Sequence, residues 1–232
     1  MDLKNTTLIL PTLNEKEGMF LLLKLINNLY PEIKLIIVDD GSTDGTKNIA
    51  LRFAKENENI LFFDRSKEKI HGICISTVEA IKKTKTDYFI LMDADLQHPP
   101  EKIKEIKEAL DEKYKLVIAT RRRVEKWKFQ RKLMSGVANY LAKITLFLRG
   151  KRIPSDPLSG FFGGETMPFR NLINKNYSVF ELKGYKVLFD FLKILPKSIE
   201  TKEVPYNFGG RKRGKSKIKT KHIFYFLKSL FK

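Results

Sequence analysis

An alternation of two residue patterns constrains the fold of this chain most strongly. Short β-branched apolar runs predict strands at Thr7–Thr12, Leu35–Asp39, Ile60–Asp64, Tyr88–Asp93 and Leu116–Thr120. Between these runs, apolar residues recur at helical spacing over Gly18–Leu29, Thr46–Lys55, Ile73–Lys83 and Pro100–Lys113. Strand followed by helix, repeated, predicts right-handed βαβ units and therefore an α/β fold, a mostly parallel sheet flanked by helices on both faces.

The second half of the chain follows a different pattern. Residues Trp127–Leu148 are helical in spacing and basic, and Pro154–Gly164 is predicted to be a loop. Mixed segments and a basic tail follow. We expect one domain over residues 1–210 and a tail over residues 211–232, because 232 residues suffice for one sizeable core.

The charge of the chain implies an anionic partner. The formal net charge is +18, which fits nucleic acid, an anionic membrane surface or phosphorylated substrates. The cations are divided between phosphate-sized clusters and the tail, and no RNP, helix-turn-helix or KH signature occurs, so we expect no nucleic-acid partner. The single cysteine, Cys74, excludes an intrachain disulfide and fits a reducing, cytoplasmic compartment.

Polar clusters follow four of the five predicted strands. They are Pro11–Glu15, Asp39–Gly45, Asp93–Pro100 and Thr120–Arg123. Ligands of mostly parallel sheets bind in the crevice beyond the carboxyl ends of the strands. The clusters therefore predict a ligand site at this edge of the sheet.

Asp93 and Asp95 predict a metal site. Residues i and i+2 of an extended chain point to the same side, so both carboxylates face one point just past the strand. Hard oxygen ligands suit Mg²⁺ or Mn²⁺, whose coordination is completed by water and substrate phosphates. Gln97 could add a carbonyl oxygen. The alternative is a solvated acidic turn in which Asp95 caps the helix that starts near Pro100.

The segment Asp39–Gly45 carries three acids and leads into a helix. Acids at a strand end suit hydrogen bonds to base nitrogens or ribose hydroxyls. They would repel a phosphate, and this segment has no GxxxxGK[ST] sequence. We predict that Asp44 caps the following helix and that Asp40 is a ligand.

The motifs together resemble those of family 2 glycosyltransferases with the GT-A (Rossmann-like) fold, in particular the dolichyl-phosphate mannose synthase and polyprenyl-phosphate glycosyltransferase branch. The matching segments are Pro11–Glu15, Val38–Thr46, Asp93–Glu101, Arg121, Trp127 with Arg131, Asp156–Phe161, Gly184–Lys186, Glu203–Tyr206 and Arg211–Lys217. The resemblance implies metal-dependent, inverting transfer of a hexose, mannose or glucose, from a GDP- or UDP-sugar to a polyprenyl (dolichyl) phosphate.

The resemblance also implies roles for the matching positions. The donor nucleoside would contact Pro11, Leu13, Glu15 and Asp40. Asp93, Asp95 and Gln97 would hold Mg²⁺ or Mn²⁺ on the diphosphate. The phosphates of donor and acceptor would be gripped by Arg121, Arg131, Arg211, Ser216 and Lys217. Leu13 departs from the family, which often has Tyr there, and His71–Cys74 is poorer in glycine than the family's usual turn.

The chain has no Ser/His/Asp or Cys/His arrangement, and its histidines are His71, His98 and His222. A phosphate acceptor needs no general base, because its second pKa is about 6. We favour a loop-shaping role for His98 over a catalytic base. An acceptor with a saccharide hydroxyl would need a base near a Gln-x-x-Arg-Trp motif, which is absent. A non-catalytic membrane-associated scaffold is disfavoured by the intact motifs.

The tail has the composition of a membrane-surface segment. Residues 211–221 contain seven Lys or Arg and no acid, and the apolar stretch Ile223–Phe231 follows. The alternative is that this stretch packs on the domain core or on a partner. No apolar run approaches the roughly 20 residues of a membrane span. We expect peripheral attachment to the cytoplasmic membrane face, with a small membrane subunit or a truncated anchor as alternatives.

Overall fold

A mixed seven-stranded sheet organises residues 3–124, 129–209 and 220–232, which are the residues that the computed structural model describes. The strands are β1 (Thr6–Thr12), β2 (Lys34–Asp39), β3 (Ile60–Asp64), β4 (Tyr88–Leu91), β5 (Leu116–Val124), β6 (Phe162–Glu165) and β7 (Thr201–Phe208). The helices are α1 (Lys16–Leu29), α2 (Thr46–Glu56), α3 (Ile73–Lys83), α4 (Lys102–Asp111), α5 (Phe129–Leu148), α6 (Thr166–Lys175), α7 (Val187–Ile194) and α8 (Thr220–Phe231).

The strand order is β3-β2-β1-β4-β6-β5-β7. Strands β3, β2, β1 and β4 are parallel to one another, and β5 is parallel to β7. The predicted α/β class and mostly parallel sheet are therefore confirmed. Buried side chains form a core on each face of the sheet, with Leu8 and Leu10 of β1 in one and Ile9 in the other.

Strand β6 corrects the prediction of a loop through Gly164. It lies antiparallel between β4 and β5. Its two glycines conceal it, because glycine is depleted in strands. Both are required by packing: a Cβ on Gly163 would lie 2.8 Å from Ile106, and one on Gly164 would lie 2.7 Å from Phe169.

The antiparallel direction of β6 brings a distant loop to the ligand edge. The chain enters β6 at the edge where β4 and β5 end, so the residues before Phe162 lie beside the residues that follow β4. Strand β7 runs parallel to β5 and pairs Tyr206 with Arg121. The segment that precedes β6 therefore lies at the same edge as the segments that follow β1, β2 and β4.

Helix α8 packs on the domain through one face. Phe226 is buried against Phe189, with ring centroids 6.2 Å apart. The Ser229 hydroxyl donates to Asp190 Oδ1 of α7 at 2.6 Å. The opposite face leaves Phe224 and Phe231 exposed. The predicted alternative, packing on the core, is thus confirmed for one face of this helix. No helix in the described parts of the chain is long and apolar enough to cross a membrane.

Candidate active site

The loops after β1 and β2 are joined by side-chain hydrogen bonds. The backbone N–H of Asn14 donates to Ser42 Oγ at 2.8 Å, and Asn14 Oδ1 accepts the N–H of Thr43 at 2.7 Å. The N–H of Glu15 donates to Thr46 Oγ1 at 2.8 Å. The two loops thus form one rigid unit at the end of the parallel strands, next to the predicted nucleoside contacts.

Asp44 makes the helix-capping hydrogen bonds that the sequence predicts. Its carboxylate accepts the N–H of Thr46 at 2.9 Å, in the first turn of α2, although Gly45 is the residue that precedes this helix. It also accepts the N–H of Lys16, the first residue of α1, at 3.0 Å. Partial burial alone would raise the pKa of Asp44, but these hydrogen bonds outweigh it and the pKa is lowered. Asp44 therefore stays ionised and fixes the start of both helices.

Asp40 is held on several sides by the protein itself. Arg65 Nη1 lies 2.5 Å from Asp40 Oδ1, and the N–H of Gly72 donates to Asp40 Oδ2 at 2.7 Å. His71 Nδ1 lies 3.2 Å from the same carboxylate. Burial raises the pKa of Asp40, and its attraction to Arg65 and its hydrogen bonds offset this only in part. Asp40 therefore ties the segment after β3 to the end of β2, and its contact with a nucleoside stays a prediction.

Arg65 is a structural residue that the sequence reasoning missed. Its side chain is 1% exposed and also binds Glu79, at 2.7 Å. The available signal was its position directly after β3, where a charged residue again follows an apolar run. The other predicted nucleoside contacts lie along the same edge: Pro11 is buried, Glu15 is half-buried and Leu13 is exposed. Their roles also stay predictions.

The segment after β4 carries the predicted metal ligands. The Asp93 side chain is 39% exposed, whereas Asp95 is nearly buried and accepts the N–H of Gln97 at 3.1 Å. Gln97 Nε2 donates to the carbonyl of Gly209 at 2.9 Å, so its amide oxygen is the atom that could reach a metal. Helix α4 starts at Lys102, whose N–H donates to the carbonyl of Pro99. The alternative of Asp95 as the cap of this helix stays a prediction.

This donor set fits a hard divalent cation that also binds a substrate. Among the described residues no group of three His, Cys, Asp or Glu could hold a metal ion. Two carboxylates and one amide oxygen leave most of the coordination sphere to water and phosphate oxygens, as is usual for Mg²⁺. The residues present therefore fit a metal that binds together with a diphosphate.

Arg121 faces Asp156 rather than open solvent. Its Nε and Nη2 atoms donate to the two carboxylate oxygens at 2.6 and 2.7 Å. Burial would raise the pKa of Asp156, but Arg121 outweighs it and the pKa is lowered. Asp156 already occupies two donors of the Arg121 guanidinium. Arg121 would therefore stabilise a phosphate mainly through its positive charge rather than through two hydrogen bonds.

Lys186 is a site residue to which the sequence reasoning assigned no role. Its Nζ donates to the carbonyl of Leu158 at 2.9 Å. Burial, and next the repulsion of Arg121, lower the pKa of Lys186 to about 8, while Asp93 attracts the charge and Arg131 repels it. Lys186 therefore lies within electrostatic reach of the predicted metal ligand and of two predicted phosphate-binding arginines. The motif Gly184–Lys186 was the available signal.

His98 shapes the loop and is unsuited to be a base. Its Nδ1 accepts the N–H of Asp93 at 3.1 Å, which occupies the lone pair that a base would use. Burial lowers its pKa to about 4, so the ring is neutral near pH 7. The loop-shaping prediction is confirmed. Arg131 lies on α5, and Trp127, Arg211, Ser216 and Lys217 lie outside the described residues.

Comparison with known proteins supplies the family. Residues 7–175 match the model of Glycosyl transferase family 2. A protein of Pyrococcus furiosus named dolichol-phosphate mannosyltransferase is 34% identical over 97% of this chain and 62% of its own length. A protein of the same name from Saccharomyces cerevisiae is 31% identical over 97% of this chain and 85% of its own length. The chain thus spans less than two thirds of the first of these relatives.

Solved structures share the fold at low sequence identity. Glucosyl-3-phosphoglycerate synthase from Mycobacterium tuberculosis in complex with UDP superposes with a TM-score of 0.64, at 17% identity, over 97% of this chain and 80% of that one. The complex of that enzyme with Mn²⁺, UDP and phosphoglyceric acid gives a TM-score of 0.67 at 18% identity, over 97% and 78% of the two chains. The fold is therefore GT-A-like, and on the match across residues 7–175 the chain belongs to glycosyl transferase family 2.

Proposed function

We propose that this protein transfers a hexose from a nucleoside diphosphate sugar to a polyprenyl phosphate, with inversion at the anomeric carbon and with the help of a divalent metal. The observation that carries the proposal is the pair Asp93 and Asp95 in the segment after β4, with Asp93 within electrostatic reach of the cations Arg121 and Lys186. The relatives' names support mannose as the sugar and dolichyl phosphate as the acceptor. GDP-mannose is then the expected donor, with a UDP-sugar as the alternative.

In this proposal Asp93, Asp95 and the amide oxygen of Gln97 hold Mg²⁺ or Mn²⁺. A bound cation would neutralise the charge that develops on the departing diphosphate. The nucleoside lies along Pro11, Leu13 and the rigid loops after β1 and β2, with Glu15 and Asp40 as hydrogen-bond acceptors.

The acceptor phosphate supplies its own nucleophile. It is largely a dianion at neutral pH, so its oxygen attacks the anomeric carbon while the bond from that carbon to the diphosphate oxygen breaks. The protein has to place two anionic groups close together, which Arg121, Arg131 and Lys186 make less unfavourable. We assign the remaining phosphate contacts to Arg211, Ser216 and Lys217.

A membrane surface fits the face formed by α5 and α8. The end of α5 is tied to α8, since Nη2 of Arg149, the residue that directly follows α5, donates to the carbonyl of Leu230 at 3.2 Å. Both expose large apolar side chains to solvent, namely Leu133, Met134, Val137, Tyr140, Phe147, Leu148, Phe224, Leu227 and Phe231. The basic residues 211–221 precede this face along the chain. We propose that the protein lies peripherally on the cytoplasmic membrane face, where a small membrane subunit could also contact it.

The test of the reaction is transfer from labelled GDP- and UDP-sugars to polyprenyl phosphate in detergent, with and without EDTA. We expect labelled lipid with one donor, loss of the label on chelation, and its return with Mn²⁺ or Mg²⁺. Transfer that survives EDTA would contradict the metal. Label that enters only a saccharide would contradict the acceptor, and no binding of any nucleotide-sugar would favour the scaffold.

The test of the membrane face is sedimentation with anionic phospholipid vesicles. We expect the double variant Phe147→Ser/Phe224→Ser to bind several-fold less, because both exposed rings would enter the interface. Leu61→Ser is the matched control, since Leu61 is an exposed apolar residue on the edge strand β3. Equal loss with the control would contradict the assigned face.

A further inference from the structure

We propose that His98 and Gly160 are positioning residues that together hold the Asp93 carboxylate in the place where it binds a divalent cation. The inference rests on the metal role of Asp93 in the proposed function. It concerns how the carboxylate is aimed rather than which residues touch the metal.

His98 contacts both the backbone and the side chain of Asp93. Its Nδ1 accepts the N–H of Asp93 at 3.1 Å. A neutral imidazole whose Nδ1 accepts carries its proton on Nε2. Nε2 lies 3.8 Å from Asp93 Oδ2, so the N–H side of the ring lies near the carboxylate. One ring thus holds the backbone of Asp93 by a hydrogen bond and lies close to the carboxylate of the same residue.

The His98 ring is itself fixed by three aromatic residues. It stacks on Phe161 with centroids 5.2 Å apart and planes 17° apart. The rings of Tyr206 and Phe208 meet it edge-on at 5.7 and 5.5 Å. His98 is 2% exposed, so it has no room to change rotamer without moving these rings. The loop before β6 and the strand β7 therefore determine the orientation of the residue that aims Asp93.

Gly160 bounds the carboxylate on another side. A Cβ built on Gly160 would lie 2.9 Å from Asp93 Oδ2 and 3.2 Å from Oδ1. Its backbone does not require glycine, since Gly160 is not among the glycines with positive φ. The absence of a side chain is therefore needed for the Asp93 carboxylate. Asp93 is 39% exposed, so a larger residue at position 160 would turn the carboxylate into solvent rather than unfold the chain.

The orientation of the Asp93 carboxylate matters because a partly exposed carboxylate can adopt several rotamers, and only some of them would reach the metal. Residues that orient metal ligands without touching the metal commonly change metal affinity by roughly 10- to 100-fold. His98 and Gly160 are separated by 62 positions in sequence, and both lie near Asp93 because β6 runs antiparallel beside β4. Two independent contacts to one carboxylate make this role testable by two unrelated substitutions.

The first test compares the Mn²⁺ affinity of Gly160→Ala with that of Gly18→Ala. Each full-length variant is titrated with Mn²⁺ in the presence of saturating GDP or UDP, and the EPR signal of free Mn²⁺ is the readout. Gly18 lies beside the same loop, but its Cβ would meet Leu96 at 3.5 Å and Ala94 at 3.8 Å, which are ordinary contacts. We expect Gly160→Ala to raise the Kd for Mn²⁺ roughly 10- to 100-fold, and Gly18→Ala to leave it within about twofold.

The second test separates the ring of His98 from its hydrogen bond. His98→Phe keeps an aromatic ring in the cluster and removes both nitrogens, whereas His98→Asn keeps an acceptor near the position of Nδ1 and loses the ring. We expect the Kd for Mn²⁺ to rise roughly tenfold or more in His98→Phe and less in His98→Asn. The opposite order would show that the ring acts only by packing. Thermal melting of each variant reports separately on the fold.

Asp93→Asn distinguishes failure of this inference from failure of the proposed function. If the wild type binds Mn²⁺ no tighter than Asp93→Asn, the metal role of Asp93 is wrong. If Asp93→Asn abolishes binding while Gly160→Ala and His98→Phe keep the wild-type Kd, the metal role stands and the positioning inference is overturned.

Discussion

Two aspartates that follow the parallel strands on either side of β1 have different surroundings in this protein. Asp40, after β2, has a side chain 8% exposed that is bound by Arg65, His71 and Gly72. Asp93, after β4, is 39% exposed. Both were predicted as ligands from the same rule about strand ends. The Asp40 carboxylate is largely buried and organises its loop, whereas the Asp93 carboxylate is exposed to solvent along one edge.

The difference comes from the neighbouring strand. Strand β3 ends beside β2 and delivers the buried cation Arg65 to Asp40. Strand β6 begins beside the end of β4 and delivers Gly160, which has no side chain, to Asp93. The strand pairing therefore determines how deeply an acid at this edge is buried.

The largest expected effect on stability concerns buried Asp40 and its partner Arg65. Arg65→Met should lower the free energy of unfolding by about 3–5 kcal/mol, because it leaves buried Asp40 without its charge partner. Urea denaturation measures this. Arg52→Met is the control. Arg52 is exposed and forms a long ion pair of 4.0 Å with Glu56, so this substitution should lower the free energy of unfolding by less than about 1 kcal/mol. Equal small losses would show that Asp40 is not held by Arg65.

Asp93, the more exposed aspartate, should affect turnover strongly and stability little. Asp93→Asn should lower turnover about 10²–10³-fold, while the unfolding free energy stays within about 0.5 kcal/mol, because its side chain is partly exposed. Asp40→Asn should instead cost about 1–3 kcal/mol of stability, because it weakens buried hydrogen bonds. Steady-state kinetics measures the turnover of the two variants, and denaturation measures their free energies of unfolding. Comparable stability losses in both would remove the distinction.

Lys186 gives a pH-dependent test of ligand binding near Asp93. Its folded pKa is about 8 against an ordinary value of 10.5, chiefly because burial disfavours the charge. Nucleoside diphosphate affinity should therefore fall as the pH rises through about 8, and Lys186→Met should lower it roughly tenfold at pH 7. Lys186→Arg should flatten the pH dependence, since Arg stays charged. Isothermal titration between pH 6.5 and 9.5 measures both.

The same pKa has the opposite effect on stability. Between pH about 8 and 10.5 the unfolded chain binds more protons at Lys186 than the folded chain does. Its contribution to the unfolding free energy therefore rises with pH over this window. An affinity that rises together with stability would contradict the assignment of Lys186 to the phosphate site.

The smallest effect tests whether a second buried aspartate behaves like Asp40. Asp190 accepts the Ser229 hydroxyl at 2.6 Å and lies 2.8 Å from Lys193. Ser229→Ala should cost about 1 kcal/mol and raise hydrogen exchange in α8, which this bond attaches to α7. Exposed Ser198 provides the control, Ser198→Ala, with no measurable change expected. Unchanged exchange in α8 would show that its other contacts, such as the Arg149–Leu230 hydrogen bond and the packing of Phe226, suffice to hold it.

Local pattern sufficed for the five first strands, the four helices between them and the clusters at their ends. Each depends on neighbours within a few residues: β-branched runs, helical spacing and acids placed where a run stops. Asp44 belongs to this class, because its partner Thr46 is two positions away. The family follows from the same segments, since the motif match needs only their order and spacing.

Tertiary structure alone decided which of these residues meet and which remain open. Asp40 and Arg65 are 25 positions apart, and Arg121 and Asp156 are 35 apart, so neither pair is visible in a local pattern. Strand β6 was hidden by glycines whose close packing appears only once α4 and α6 are in place. Hydrophobic periodicity records how each segment meets the core, whereas the order in which strands pair depends on the packing of the whole sheet. That order separates the buried Asp40 from the more exposed Asp93.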